Sequence, residues 1–263
     1  MIELANLGYR WPDTGSCLAG LTLKIESGEK VVLLGANGCG KSTLLKLMNG
    51  LIFAESGELR WKGGTISRAR LKQREFARAF RRENVLLFQH PEAMLFNPTV
   101  REEIAYSLRQ LGTDDTDGIM ASVEYWAAEL GLSDVLEQAP FNLSGGQKQK
   151  VALACLLALD PQLLLLDEPS ASLDPATVGW LVDTLVHSDK TIVVSTHSLS
   201  MAAELGERCI VLGCGGEILF DGPVHSALSD IGLLERAGLA HRHRHRHNGE
   251  QHTHVHVHDW EKD

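Results

Sequence analysis

The sequence predicts an α/β protein with an antiparallel β portion, a parallel sheet covered by helices, and a helical insertion between two sheet strands. Three observations carry this expectation. Apolar and polar residues alternate near the start (Ile2, Leu4, then Leu21, Leu23, Ile25), as in strands with one buried face. Short, mainly apolar runs recur at residues 31–34, 85–88, 163–166 and 191–195, as in strands buried on both faces. A glycine-rich loop and then a helical pattern follow the first of those runs.

Taken in order, residues 2–25 read as antiparallel strands around a turn at Asp13-Thr14-Gly15. The helical pattern of residues 42–48 ends at Gly50, a natural stop. Residues 98–140 are mainly helical and, with the helix after them, form the inserted lobe, about 90–158. A last hairpin is expected over 208–212 and 217–220, with Cys214-Gly215-Gly216 in its turn. A short helical segment, 226–240, separates a domain of residues 1–225 from a His-rich tail, 241–263, expected to be disordered.

Composition narrows the function. The chain has 263 residues, 44% of them apolar, enough for a large domain with a core. A formal charge of −9 argues against a nucleic-acid partner. No apolar run approaches the ~20 residues that span a bilayer. The N-terminus lacks the basic start and apolar stretch of a signal peptide. Five scattered cysteines without a CxxC pair read as reduced thiols of a cytosolic protein.

Gly35-Ala36-Asn37-Gly38-Cys39-Gly40-Lys41-Ser42 fits GxxxxGK[ST], between a strand and a helix, with Thr43 next. Glycines let successive N–H groups face phosphate oxygens, and the helix N-terminus adds positive potential. Lys41 suits the β and γ phosphates, and the Ser42 hydroxyl suits Mg²⁺. The same helix end and Lys41 are expected to make Cys39 a reactive thiol that ATP protects. The strand at 163–166 ends in Asp167-Glu168: Asp167 suits Mg²⁺ through its water shell, and Glu168 suits orienting or deprotonating an attacking water. His197, after the strand TIVVS, is a candidate contact for the γ-phosphate. Gln89, after VLLF, is a candidate for touching Mg²⁺ or the water and for reporting nucleotide state to the lobe.

Leu143-Ser144-Gly145-Gly146-Gln147 completes an ordered set: phosphate loop, Gln89, LSGGQ, LLLLDEP, Ser172-Leu173-Asp174, His197. In that order the motifs resemble the ABC ATPase family across about residues 1–225. The resemblance implies a P-loop NTPase core of the RecA type, an antiparallel β subdomain and an inserted α-helical subdomain. It implies hydrolysis of ATP with Mg²⁺ by a head-to-tail homodimer that sandwiches ATP between the phosphate loop of one copy and Ser144, Gly145, Gly146 and Gln147 of the other. Asp174 is then expected at the dimer seam, and Trp11, with Tyr9 as the fallback, stacked on adenine. Ser198 stands where the family often has Asp, and Lys150 where Arg is common.

Residues 88–106, FQHPEAMLFNPTVREEIAY, resemble the corresponding segment of energy-coupling-factor importers, with Met94 in place of a usual Gln. That resemblance implies integral membrane partners docking in a groove near Gln89 to Val100, and a peripheral location on the cytoplasmic face of the membrane. The apolar residues Met94, Leu95, Phe96 and Pro98 suit an amphipathic partner helix. His241, His243, His245, His247, His252, His254, His256 and His258 alternate with other residues, which suits a transition metal. Together these resemble the ATPase of a cobalt or nickel importer. The alternatives are a zinc or vitamin importer and a soluble ABC ATPase without a membrane partner. The chain lacks the long coiled-coil insertion of repair ATPases and has a single phosphate-loop motif.

Overall fold

The computed structural model describes residues 1–263 except 13, 14, 16, 111–114, 248, 249 and 258–263; for residues 17, 241–247 and 250–257 it describes the backbone alone. The chain forms two compact units, Met1–Ile66 with Val193–Asp263, and Ser67–Ile192.

The first unit opens with β1 (Ile2–Arg10) and β2 (Cys17–Ile25), antiparallel and in the register Ile2↔Ile25, Leu4↔Leu23, Leu7↔Leu21. The register faces the alternating apolar residues onto one side, where all six are buried. Of the expected turn between them, Asp13 and Thr14 lie outside the described residues. Next come β3 (Lys30–Leu34), whose Val31, Val32, Leu33 and Leu34 are all buried, and α1 (Lys41–Met48). A strand the motif pattern did not announce, β4 (Ser56–Trp61), pairs antiparallel with β1 and carries the two-residue β5 (Gly64–Thr65) at its edge. Only Leu59 and Trp61 of β4 are buried, which leaves it a weak hydrophobic signal.

The second unit begins with α2 (Arg68–Leu71) and α3 (Arg74–Glu83), followed by β6 (Asn84–Leu87). Its helical part comprises α4 (Val100–Gln110), α5 (Thr116–Glu129) and α6 (Gly145–Leu157), which pack on one another. They bury Val100, Ile104, Val123, Ala127, Val151 and Leu153. Then come β7 (Leu163–Asp167) and α7 (Pro175–Val186). Strands β6 and β7 pair in parallel, Val85↔Leu164 to Leu87↔Leu166, so both end at the same edge.

Within β8 (Thr191–Ser195), at Val193, the chain returns to the first unit, and α8 (Leu199–Leu205) follows. Strand β9 (Arg208–Leu212) lies parallel to β3 and antiparallel to β10 (Ile218–Pro223). Two short helices follow, α9 (Val224–Ser229) and α10 (Ile231–Arg236). Part of the terminal segment expected to be disordered has strand backbone, residues 241–247 and 250–257. Strands β11 (Ala240–His247) and β12 (Glu250–Val257) pair as an antiparallel hairpin. Period-two alternation gives the segment a strand pattern despite its polarity.

Candidate active site

Leaving β3, the chain enters the phosphate loop at Gly35, where φ is 149° and an added Cβ would lie 2.7 Å from Leu212 O and 2.6 Å from Cys39 Sγ. A side chain there would displace the loop. Gly38 and Gly40 adopt φ of 82° and 107°, the left-handed region that glycine enters without strain. The loop is tied down by Cys39 N donating to Ala36 O at 3.3 Å and Ala36 N donating to Ala237 O at 3.0 Å. Gly40 caps α1 without a side chain, and the first turn carries no acidic residue, so the positive helix end is not neutralised locally. Lys41 is 6% exposed, and its Nζ donates to Gly35 O at 2.7 Å and Ala36 O at 3.2 Å. The ammonium is thus held folded over the loop. A cradle of this kind fits the phosphates of a nucleotide.

Cys39 corrects one expectation. Its thiol is 2% exposed, and burial pushes its pKa up, outweighing the Lys41 charge and the Lys41 backbone N–H that act the other way. The buried thiol fills the turn and is not poised as a nucleophile.

Trp11 is half-buried, and its Nε1 donates to Thr43 Oγ1 at 3.0 Å. Tyr9 meets its ring edge-on at 5.2 Å between centroids, and Lys46 Nζ lies 5.8 Å from the ring centroid. The indole is therefore fastened to the first turn of the helix that carries Lys41 and Ser42. His197 is exposed, next to Thr196, whose N donates to Leu33 O of β3 at 3.1 Å. Ser198 caps α8 by accepting from Met201 N at 3.3 Å, a role that Asp also performs, which accounts for the tolerance of serine there.

In the second unit, Asp167 ends β7 and Glu168 follows it, and both are buried. Glu168 has φ of 48°, uncommon for a side chain of its size. Gln89 is exposed two residues past Leu87, the partner of Leu166; Glu168 lies two residues past Leu166. The amide and the carboxylates thus sit beyond the carboxyl ends of adjacent parallel strands, where α/β proteins place ligands.

Ser144 caps α6 in a reciprocal box with Gln147: Gln147 N donates to Ser144 Oγ at 3.3 Å, and Ser144 N donates to Gln147 Oε1 at 3.0 Å. The Ser144 hydroxyl accepts there and keeps its own proton to donate. Two contacts that motif reading missed fix this helix. Gln149, buried, donates from Nε2 to Pro169 O at 3.0 Å, tying α6 to the turn after Glu168. Gly146 lies so near the Ser172 carbonyl that an added Cβ would come within 2.6 Å. Lys150 reaches Asp174 at 3.1 Å, and Asp174 caps α7 by accepting from Thr177 N at 2.9 Å and Thr177 Oγ1 at 2.7 Å. Those two Thr177 bonds first, and Lys150 next, hold the Asp174 carboxyl well below the usual carboxylate range.

Glu103 was also missed. It is 3% exposed and accepts from Phe96 N at 2.8 Å, Asn97 N at 2.7 Å and Asn97 Nδ2 at 3.0 Å. A buried carboxylate with three donors fixes the loop that displays Phe96, which is 67% exposed and edge-on to Tyr106 at 5.1 Å. Burial is the only signal that separates Glu103 from its exposed neighbour Glu102.

Trp11, the phosphate loop, Thr43 and His197 belong to the first unit; Gln89, Ser144 to Gln147, Asp167, Glu168 and Asp174 belong to the second. In the first unit the Ser42 hydroxyl, and in the second the Gln89 amide and the Asp167 carboxylate, are hard oxygen donors of the kind that suits Mg²⁺. Among the described residues, no group of three or more His, Cys, Asp or Glu gathers as a metal site, and no helix is long and apolar enough to cross a membrane. His258 lies outside the described residues.

The profile of the ABC transporter family matches residues 18–171. An energy-coupling factor transporter ATP-binding protein of Methanothermobacter thermautotrophicus is 35% identical over 242 residues, 91% of this chain and 76% of the relative. Among solved structures, the dimeric post-hydrolysis ATP-binding cassette MJ0796 bound to ADP and Pi superposes with a TM-score of 0.75 at 28% identity, covering 85% of this chain and 99% of that one. The cbiO1 protein of Clostridium perfringens, part of the ABC transporter complex cbiONQ, superposes with a TM-score of 0.72 at 26% identity, covering 90% and 94%. With a P-loop NTPase core and an inserted helical subdomain, the chain belongs to the ABC transporter family, as an ATP-hydrolysing, MgATP-binding subunit of the energy-coupling-factor type.

Proposed function

We propose that two copies of this chain close head to tail on ATP and drive the uptake of a divalent transition-metal ion, cobalt or nickel, through integral membrane partners. The observation that carries the metal reading is the alternating histidine run at the end of an energy-coupling-factor ATPase. Likeness to cbiO1, part of a transporter complex, supports the membrane partners, and likeness to a dimeric cassette holding ADP and Pi supports the closed pair. The partner surface is the segment from Gln89 to Val100, whose exposed Phe96 stands on the loop anchored by Glu103. The working position is peripheral, on the cytoplasmic face of the membrane.

In this reading Lys41 and the loop amides hold the phosphates, and Trp11 stacks on adenine. Ser42 and Asp167, with Gln89, hold Mg²⁺, which offsets phosphate charge. Glu168 orients or deprotonates the attacking water, and His197 contacts the γ-phosphate. Ser144, Gly145, Gly146 and Gln147 cover the partner's ATP, and Asp174 lies at the seam. Radiolabelled cobalt and nickel uptake, in cells with and without the chain and its membrane partners, tests the cargo. Uptake of zinc or a vitamin instead would replace the metal assignment. Failure to copurify with any membrane protein would remove the importer reading.

A further inference from the structure

We propose that Gln149 is a positioning residue for ATP hydrolysis, a role that rests on Glu168 being the group that orients or deprotonates the attacking water. The Gln149 amide holds the Pro169 carbonyl, and with it the backbone that aims the Glu168 carboxylate. That backbone needs holding. Glu168 has φ of 48°, and Ser172, four residues on, has 65°. Residues other than glycine enter that region at a cost and stay there only where their surroundings impose it. The turn supplies one constraint of its own, Ala171 N donating to Glu168 O at 3.2 Å. Pro169 is second in that turn, where its ring fixes φ. Proline has no N–H, so the peptide joining Glu168 to Pro169 has nothing to donate. The next carbonyl, Pro169 O, is the remaining handle beside Glu168, and Gln149 Nε2 donates to it at 3.0 Å.

Helix α6 grips this segment along one stripe. Gly146, Gln149 and Lys150 follow one another at the three- and four-residue spacing of a single helix face. Gly146 leaves room for the Ser172 carbonyl, and Lys150 reaches Asp174 at 3.1 Å. Of the three, only Gln149 engages the residue next to Glu168. Gln149 is 1% exposed, and Val151, Ala152 and Leu153 after it are buried and apolar. A polar group in such surroundings costs free energy unless it is hydrogen-bonded, and an apolar side chain of the same length would fill the space as well. What the amide adds is a directional tie to the turn that carries Glu168. The same helix begins at the Ser144 cap, so the signature end and the hold on Glu168 belong to one rigid element.

The test uses the full-length chain in four forms: native, Gln149→Met, Glu168→Gln, and both substitutions together. Methionine keeps the bulk of glutamine and removes the donor. Single-turnover hydrolysis reads the rate, and nucleotide titration reads the affinity. Gln149→Met is expected to slow hydrolysis about ten- to a hundredfold, as a misaimed catalytic group does. ATP affinity is expected to stay within about twofold of native, because the phosphate loop is untouched. With Glu168→Gln already present, adding Gln149→Met is expected to slow the residual rate by less than about twofold, since Gln149 acts through Glu168. A native rate in Gln149→Met would overturn the proposal. So would an equal loss with and without Glu168→Gln, which would mark a tie that is structural alone. Should Gln149→Met fail to fold, Gln149→Glu at alkaline pH, equal in shape and lacking the donor, is read in the same way. The two assignments fail separately. A Glu168→Gln chain that hydrolyses ATP at the native rate removes the water-activating role of Glu168 and Gln149's role with it. A slow Glu168→Gln chain beside a native-rate Gln149→Met chain removes Gln149 alone.

Discussion

Lys150 on α6 and Asp174 at the start of α7 form an ion pair of 3.1 Å, so the helix that begins at the signature motif and the helix that begins after the DEP turn share a charged contact. Asp174 titrates below its usual range, through Thr177 first and Lys150 after it. A depressed carboxylate pKa stabilises the fold above the unfolded value near ~3.9, and that contribution is lost as pH falls further. Asp174→Asn is therefore expected to lower the thermal midpoint at pH 6. The gap to the native chain should narrow as pH drops toward 3. A gap that stays constant with pH would mean that the charge does not matter.

Glu168→Gln is expected to keep ATP binding and slow hydrolysis by roughly 10²–10⁴, because a positioned base is removed while the phosphate loop is untouched. The substitution leaves side-chain size unchanged at a backbone φ of 48°, so folding should be little altered. Single-turnover hydrolysis with a nucleotide-binding control decides it. Hydrolysis near the native rate would remove Glu168 from the chemistry.

Burial of Cys39 gives a labelling pattern. At neutral pH, maleimide is expected to modify the exposed Cys214 and to leave Cys39 and Cys155 unmodified until the chain unfolds. Peptide mapping by mass spectrometry reads all three. Rapid native modification of Cys39 would show a loop more open than the one described.

Two adjacent glycines should differ. An added Cβ at Gly146 meets Ser172 O at 2.6 Å, whereas at Gly145 the nearest atom is 3.7 Å away, ordinary contact. Gly146→Ala is expected to cost about 1–3 kcal/mol in urea unfolding, as overpacking does. Gly145→Ala is expected to be neutral or stabilising, by up to about 1 kcal/mol of helix propensity. Equal effects would show that the Ser172 carbonyl yields.

Trp11→Ala is expected to raise the KM for ATP by one to two orders of magnitude, since base stacking on an aromatic is worth about 1–3 kcal/mol. Trp11→Phe keeps a stacking face and loses the bond to Thr43, so it should recover most of the affinity. If Phe is no better than Ala, the indole acts by holding α1 and not by touching the base.

The phosphate loop was legible because its chemistry demands glycine, lysine and serine at fixed spacing, and the strand before it and helix after it confirm the frame. Buried strands such as β7 were legible from unbroken apolar runs. Cys39 misled because sequence shows the lysine two residues away but not the desolvation that outweighs it. Gln149 and Glu103 were invisible because their partners, Pro169 O and the amides of Phe96 and Asn97, are backbone atoms that no side-chain motif encodes. The terminal hairpin was hidden by polarity: composition argued for an open tail, and the alternation of histidine with other residues was read for metal chemistry and not as a strand period.

The bond from Ala36 N to Ala237 O has a bearing on how the chain is made. The acceptor for residue 36 is synthesised 201 residues later (237 − 36), and β3 likewise waits for β9. At about 5–20 residues per second, that interval is roughly 10–40 s. Throughout it the loop lacks one of the bonds that shape it. The nucleotide cradle is thus translated well before it is completed, and the bond that ties Ala36 forms only once residue 237 has been made.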